Sequence, residues 1–231
     1  MSYALDYPIA SDAPATARAA FVRRTYGHLA GAVLGFVGLE TLLLRIPGIE
    51  NVVRPMLSGS WMLVLLAFMA AGWIARVWAN SNTSQVMQYL GLSLYVVAWA
   101  IMFLPLLYIA VHFTSSDVIP TAGILTLSIF GGLTVAVFVT RGDYSYLGPV
   151  ISIASCIAFG VIVASTLFGF SLGLIFCFAL VGLACAAIIY NTSNVLHHYR
   201  TDQHVGAALE LFASVALLFW YILQIVMSRR D

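Results

Sequence analysis

Seven long apolar stretches constrain the fold of this chain more than any other feature of its sequence. They span residues 26–44, 56–75, 89–113, 119–139, 147–168, 172–190 and 205–227. Each approaches the roughly 20 residues that a helix needs to cross the hydrocarbon core of a bilayer. Because a spanning segment must satisfy its own backbone hydrogen bonds, the stretches are predicted to be helical. The sequence therefore predicts an all-α, polytopic membrane protein with a seven-transmembrane helix bundle.

The composition agrees with lipid as the main solvent of the chain. Of the 231 residues, 62% are hydrophobic and 8% are charged. A soluble globular domain is about half apolar and about a quarter charged, and a chain of this length cannot bury so much more apolar surface in water. The net charge of +1 gives no electrostatic reason to expect a nucleic-acid partner. The expected partner is the lipid bilayer.

The polar N-terminal residues and the arginines predict the domain boundary and the orientation. Residues 1–20 are polar and mixed, lack the pattern of a signal peptide, and are predicted to be a flexible segment before a membrane domain at 21–231. With seven spans, six arginines fall on the side of the N-terminus and four on the other side. Arginine is enriched on the cytoplasmic side, so the N-terminus is predicted to be cytoplasmic. If the last stretch were re-entrant, eight arginines would lie on the side of the N-terminus and two on the other side. The sequence therefore does not determine the side of the C-terminus.

Ionisable residues inside apolar stretches are the first candidates for function, because they are costly in lipid. Glu40 lies near the end of the first stretch, either paired with Arg45 or in contact with headgroups and water. Glu210 lies one turn into the last stretch, either as a desolvated pH-sensing carboxylate or at the water boundary. Arg76 ends the second stretch at the same depth, either paired with Glu210 or as an ordinary positive flank.

The remaining polar residues give weaker signals. His197, His198 and His204, with Asp202, crowd the connection between the last two stretches. They could bind a metal or sense pH, but their spacing matches no strong zinc pattern, and a solvated loop is the favoured interpretation. We found no nucleophile elbow, zinc-protease, phosphate-loop or dinucleotide-binding motif. The chain is therefore predicted not to be an enzyme, with no bound metal and no resident cofactor.

Glycines within the stretches predict where helices approach closely. Gly31 and Gly35 have the GxxxG spacing, and Gly131 and Gly132 lie in the middle of the fourth stretch. Small residues allow close helix packing in lipid, so these positions are predicted to be helix–helix contacts.

Several short segments resemble the Bax inhibitor-1 family, also called the transmembrane Bax inhibitor motif family. They are FVRRTY at 21–26, GGLT at 131–134, TRGDYSYLG at 140–148, IYNT at 189–192, AAL at 207–209 and FWYIL at 219–223. The order and spacing of these segments carry the resemblance, which extends from Phe21 to the C-terminus. It implies a seven-helix bundle with the last helix near the centre.

The resemblance also implies a function and a location. Members of the family act as a passive, pH-sensitive calcium leak, so Ca²⁺ is the expected permeant ion. Some members restrain a membrane protease, so a non-conducting regulator that binds a membrane protein is the alternative. The implied location is the plasma membrane of a bacterium, as a multi-pass protein.

The sequence departs from the family at its acidic sensor. The family carries one Asp at the end of helix six and one in helix seven, with a basic residue in helix two. The corresponding residues here are Asn191 and Ser214, which do not ionise near neutral pH. Glu210 lies one helical turn before Ser214, so it could replace the missing acid, with Arg76 as its basic partner.

A calcium path also needs oxygen ligands, and six side chains near this position could supply them. They are Asn191, Thr192, Ser193, Asn194, Ser214 and Glu210. A single carboxylate predicts weak binding, as permeation requires.

Overall fold

The computed structural model describes residues 7–57, 61–81 and 84–229, and these residues form eight α-helices. The helices are α1 (Ala15–Leu43), α2 (Glu50–Leu57), α3 (Trp61–Ala79), α4 (Gln85–Phe113), α5 (Val118–Thr140), α6 (Leu147–Phe168), α7 (Gly173–His197) and α8 (His204–Ser228). All except the short α2 are long and apolar enough to cross a membrane, seven in all. The predicted all-α fold with seven spanning helices is confirmed.

Helix α8 occupies the centre of the bundle. It packs against α1, α3, α4, α5 and α7, and 61% of its apolar window is buried, against 6% for α6. Leu211, Leu218 and Leu223 are fully enclosed by the surrounding helices. The central position implied for the last helix is confirmed. Helix α6 lies at the other extreme, because it has no buried residue and packs mainly against α7.

The helices alternate in direction, which defines two ends of the bundle. Ring contacts of His28 with His204 at 5.0 Å and of Phe36 with Phe212 at 6.1 Å show that α1 and α8 run parallel. We call the end where α1, α4, α6 and α8 begin, and where α3, α5 and α7 end, the proximal end. The opposite end is the distal end. Tyr26 packs against Phe138, close to the end of α5, so the residues before Tyr26 extend beyond that helix.

The second predicted span, 56–75, is wrong at both ends. Residues Glu50–Leu57 form the separate helix α2, and the spanning helix α3 continues to Ala79. Helix α2 is amphipathic, and its Val53 packs with Ile49 and Leu104 at the distal end. A helix of two turns with one apolar face is stable on the bundle, and it separates Met56 from the membrane span.

Helix α1 begins at Ala15, so the predicted boundary at residue 21 is too late. The residues before it also contact the bundle. The N–H of Ala10 donates to the carbonyl of Tyr199 at 2.9 Å, and the N–H of Thr201 donates to the carbonyl of Pro8 at 3.2 Å. Pro8 and Ala10 are therefore hydrogen-bonded to the connection between α7 and α8, and residues 15–20 belong to α1. The predicted flexibility of the N-terminal segment stays a prediction. Residues 1–6 lie outside the described part of the chain.

Close helix approach occurs at glycines other than the predicted ones. A Cβ atom added at Gly31, Gly35, Gly131 or Gly132 would meet nothing within 4 Å. A Cβ atom at Gly91 would instead lie 2.5 Å from a backbone nitrogen and 2.6 Å from a backbone oxygen of α3. The predicted close contacts at these glycines are wrong, because an added Cβ atom would meet open space at all four positions. Gly31 and Gly35 line an open cleft between α1 and α4.

Candidate functional site

Arg76 and Glu210 form an ion pair at the proximal end of the bundle. The Nε of Arg76, in the last turn of α3, lies 2.8 Å from the Oε1 of Glu210, in the second turn of α8. The side chains are 46% and 24% exposed, respectively. The predicted pairing of these two residues is present, and it joins the central helix to α3.

Tyr95 of α4 adds a third helix to this site. Arg76 donates through Nη2 to the Tyr95 hydroxyl at 3.1 Å. Its guanidinium carbon also lies 5.4 Å from the centroid of the Tyr95 ring, within the range of a cation–π interaction. Arg76 therefore contacts one anion, one hydroxyl and one aromatic face, and a single side chain links α3, α4 and α8.

Asn191 and Ser214, which were predicted to correspond to the family's two Asp positions, are hydrogen-bonded to each other. The Asn191 Nδ2 donates to the Ser214 Oγ at 2.9 Å and to the backbone carbonyl of Glu210 at 3.2 Å. The Ser214 hydroxyl donates to the same carbonyl at 3.0 Å. At this contact an amide and a hydroxyl join α7 to α8 without a titratable group. The correspondence of the two residues to the family's acidic pair stays a prediction.

Tyr199 lies beside the ion pair, in the connection between α7 and α8. Burial raises the pKa of the Tyr199 phenol, and the nearby Glu210 carboxylate raises it further. The phenol is therefore neutral under physiological conditions. Sequence reasoning missed both Tyr95 and Tyr199, because a tyrosine within or beside an apolar stretch carries no sign of its partner.

Glu40 does not join this cluster. It is 4% exposed, and neither of its carboxylate oxygens has a hydrogen-bond partner among the described residues. Both sequence-based alternatives are wrong, because the carboxylate neither pairs with Arg45 nor reaches the surface. Since Phe36 lies beside Phe212, the helical rise places Glu40 about 9 Å farther towards the distal end than Glu210.

The histidines of the α7–α8 connection have separate environments. The Nε2 of His198 lies 3.1 Å from an oxygen of Asp143, in the connection between α5 and α6. This hydrogen bond, aided by the Ser145 N–H, lowers the pKa of Asp143 to about 2. His204 is buried against His28, so the predicted solvated loop is wrong for this residue. Over 7–57, 61–81 and 84–229, no three His, Cys, Asp or Glu side chains converge as a metal site.

Of the six predicted oxygen ligands, Asn191 and Ser214 contact each other and the backbone carbonyl of Glu210. The Glu210 carboxylate itself contacts Arg76. Ser193 instead fixes the α5–α6 connection, since its hydroxyl accepts from the Tyr144 N–H at 2.9 Å and donates to the Gly142 carbonyl at 3.2 Å. The site therefore offers a cation one carboxylate, already paired with Arg76, and a few neutral oxygens.

Comparison with known proteins identifies the family. Residues 18–231 match the family described as "Inhibitor of apoptosis-promoting Bax1". The protein LIFEGUARD 2 of Arabidopsis thaliana is 24% identical, over 95% of this chain and 92% of that protein. An uncharacterised protein of Pseudomonas aeruginosa is 28% identical, over 88% of this chain and 87% of that protein.

A shorter match points the same way. Bax inhibitor 1 of Schizosaccharomyces pombe is 30% identical over 122 residues, which are 51% of this chain and 45% of that protein. No solved structure matches the chain. The family match includes residues of all seven helices that are long and apolar enough to span, from the fourth residue of α1 onwards. The chain therefore belongs to the Bax inhibitor-1 family and is a multi-pass membrane protein.

Proposed function

We propose that this protein is a passive calcium leak whose gate is the ion pair between Arg76 and Glu210. The observation that supports this most directly is the 2.8 Å contact that links α3 to the central helix α8. It lies one helical turn from Ser214, at the depth where the family carries its acidic sensor. While the pair is intact, the guanidinium occupies the carboxylate and excludes a permeating cation.

Acidification is the proposed trigger. Protonation of Glu210 removes its charge, so Arg76 loses the attraction that holds the end of α3 against α8. The contact between Asn191 and Ser214 contains no titratable group, so it continues to join α7 to α8 at low pH. Opening is therefore a movement of α3 away from α8, with the α7–α8 contact unchanged.

The altered sensor has a consequence for the shape of the pH dependence. Two interacting carboxylates titrate as a coupled pair in two steps. Here one carboxylate remains at the ion pair, so the site lacks a coupled pair of acids. Ca²⁺ would meet one carboxylate and two neutral side-chain oxygens, which is weak coordination and suits permeation.

Calcium flux into liposomes that contain the purified protein tests the gate. Wild type should leak faster as the pH falls, whereas Glu210→Gln should leak with no pH dependence. Glu50→Gln, which changes an exposed carboxylate on α2, is the matched control and should behave as wild type. Identical pH profiles for wild type and Glu210→Gln would remove Glu210 from the mechanism.

The second candidate function is a non-conducting regulator that binds a membrane protease or another membrane protein. The observation in its favour is the neutral contact between Asn191 and Ser214, which leaves the site with one carboxylate. The same liposomes discriminate between the two functions. Absence of calcium flux from wild type at every pH would favour the regulator.

We also propose that the protein resides in the plasma membrane of a bacterium with its N-terminus in the cytoplasm. The excess of arginine on the side of the N-terminus supports the orientation. The 28% identity with a protein of Pseudomonas aeruginosa supports the bacterial membrane. A reporter that is active only outside the cytoplasm, fused before α1, should be inactive in this orientation. The same reporter in the α1–α2 connection should be active.

A further inference from the structure

A basic cleft opens at the proximal end, away from the ion pair of Arg76 and Glu210. It lies between the start of α1, the end of α5 and the end of α7, and its volume is about 480 Å³. Its charged wall consists of Arg18 and Arg23 from α1 and Arg141 from the residue after α5, with His197 at the end of α7. No acidic side chain is among the described residues that line it.

The three arginines of the cleft have no anionic partner within the described ranges. The ion pairs found there join Arg76 with Glu210, His198 with Asp143, and Arg200 with Asp202. The positive charge of the cleft is therefore not compensated by the protein, and a concave surface of one sign concentrates the field.

The two acidic residues that are closest in sequence to the arginines of the cleft have other contacts. Asp12 accepts a hydrogen bond from Ser11 at 3.1 Å, and Asp143 interacts with His198 at 3.1 Å. Neither forms an ion pair with an arginine of the cleft, so an external anion would meet little competition.

The backbone of Arg141 gives a second, independent observation. This residue caps α5 in the left-handed conformation, with φ at 50°, and it is the non-glycine residue with positive φ in the described chain. Glycine is the usual residue at such a cap, because a Cβ atom makes the conformation costly. The chain carries a strained arginine where glycine would be more stable, which points to a role for its side chain.

Apolar side chains also line the cleft. Val22, Phe138 and Leu196 line it together with the arginines. The adjoining surface of α5 is also apolar, with Val139 76% exposed and Val135 61% exposed. Cationic and apolar side chains therefore line the same cleft, and exposed apolar residues of α5 follow it in sequence. A free phosphate ion would use only the cationic side chains, whereas a phospholipid would use both kinds.

We infer that this cleft binds the phosphate headgroup of an anionic phospholipid, with Arg18, Arg23 and Arg141 as its ligands. The planar guanidinium group presents paired donors that match phosphate oxygens. Basic pockets between spanning helices are suited to anionic headgroups at the membrane surface. The inference does not depend on calcium conduction, so it stands or fails separately from the proposed leak.

The test compares lipid binding by wild type and by a variant with all three arginines replaced by glutamine. Purified protein in detergent is mixed with phosphatidylglycerol or with phosphatidylcholine of the same acyl chains. Bound lipid is counted by native mass spectrometry, and thermal unfolding is followed. Wild type should retain phosphatidylglycerol and unfold at a higher temperature with it. Each replaced arginine should weaken retention roughly fivefold, because one basic residue near an anionic surface contributes about 1 kcal/mol.

The matched control removes two arginines from the distal side. Arg45→Gln with Arg54→Gln should retain phosphatidylglycerol as wild type does. If the triple variant retains as much of this lipid as the control and gains the same thermal shift, the inference is wrong. Inorganic phosphate is the third arm, and a thermal shift from it equal to that from the lipid would also overturn the assignment to a phospholipid.

Arg141→Gly is a second test variant, chosen because it should remove the arginine side chain without destabilising the fold. Glycine relieves the left-handed cap, so this variant should unfold at a higher temperature than wild type in phosphatidylcholine. In phosphatidylglycerol it should gain less than wild type. An equal gain in phosphatidylglycerol would show that the Arg141 side chain does not contact the headgroup.

Discussion

Helices α3 and α4 approach closely at Gly91, so the addition of one methyl group there should lower the stability of the fold. In Gly91→Ala the new Cβ would lie 2.5 Å from the Ala79 nitrogen and 2.6 Å from the Ala75 oxygen. Both atoms belong to the backbone, so no side-chain rotation can relieve the contact. The two helices must move apart by about 1 Å to restore van der Waals distances near 3.5 Å.

The magnitude follows from two opposing contributions. Overpacking of a tight contact costs about 1–3 kcal/mol, and this contact lies at the upper end because both atoms are backbone. Replacing glycine by alanine in a helix gains about 1 kcal/mol. Gly91→Ala should therefore lower the free energy of unfolding by about 2 kcal/mol. For a chain of this size, that corresponds to roughly 4–8 °C in the unfolding midpoint.

Gly35→Ala provides the matched control, because an added Cβ there meets nothing within 4 Å. It keeps the helix-propensity gain without the clash and should unfold at or slightly above the wild-type temperature. Thermal unfolding of wild type and both variants in one detergent, followed by tryptophan fluorescence, measures the difference. A midpoint for Gly91→Ala at or above that of Gly35→Ala would refute the reasoning.

Three further predictions concern charged residues. Glu40→Leu should raise the unfolding free energy by about 1–3 kcal/mol, measured by thermal unfolding, because it removes buried carboxylate oxygens without partners. A double-mutant cycle of Arg76→Gln and Glu210→Gln should give a coupling energy of about 0.5–1 kcal/mol, because solvent screens this partly exposed pair. Asp143→Asn should make the free energy of unfolding fall less between pH 4 and pH 2, because the pKa of Asp143 is lowered from 3.8 to about 2. Its stabilising contact with His198 is complete above pH 4 and is lost as the pH falls towards 2.

Each of these predictions has an outcome that contradicts it. A lower midpoint for Glu40→Leu would mean that the carboxylate has a partner that offsets its burial. A coupling energy near zero would mean that Arg76 and Glu210 contribute to stability independently. An unchanged stability curve between pH 4 and pH 2 for Asp143→Asn would remove the aspartate from the acid response.

The spanning helices were predictable because lipid imposes one simple rule on length and polarity. This rule does not predict helix α2, because the helix is short, amphipathic and stabilised by contacts at the distal end of the bundle. The rule also does not predict which side of a helix faces its neighbours, because apolar residues cover every side of a helix such as α4. For that reason the sequence pointed to Gly31 and Gly35 as contacts, while the contact occurs at Gly91.

The site was predictable in part, for reasons that differ between its residues. Counting residues from the ends of the apolar stretches placed Arg76 and Glu210 at one depth, and the family resemblance placed Asn191 beside Ser214. Tyr95 could not be found in this way. Its hydroxyl partner depends on which side of α4 faces α3, and this is decided by packing rather than by local sequence.

The bilayer, rather than the protein, should determine the orientation of helix α6, because this helix has no buried residue and packs mainly against α7. Its tilt should follow the thickness of the surrounding membrane, since the cost of hydrophobic mismatch acts on it almost unopposed. Helix α8 is shielded from such changes by its neighbours. Transfer of the protein between thin and thick bilayers should therefore reorient α6 and leave the geometry around the central helix unaltered.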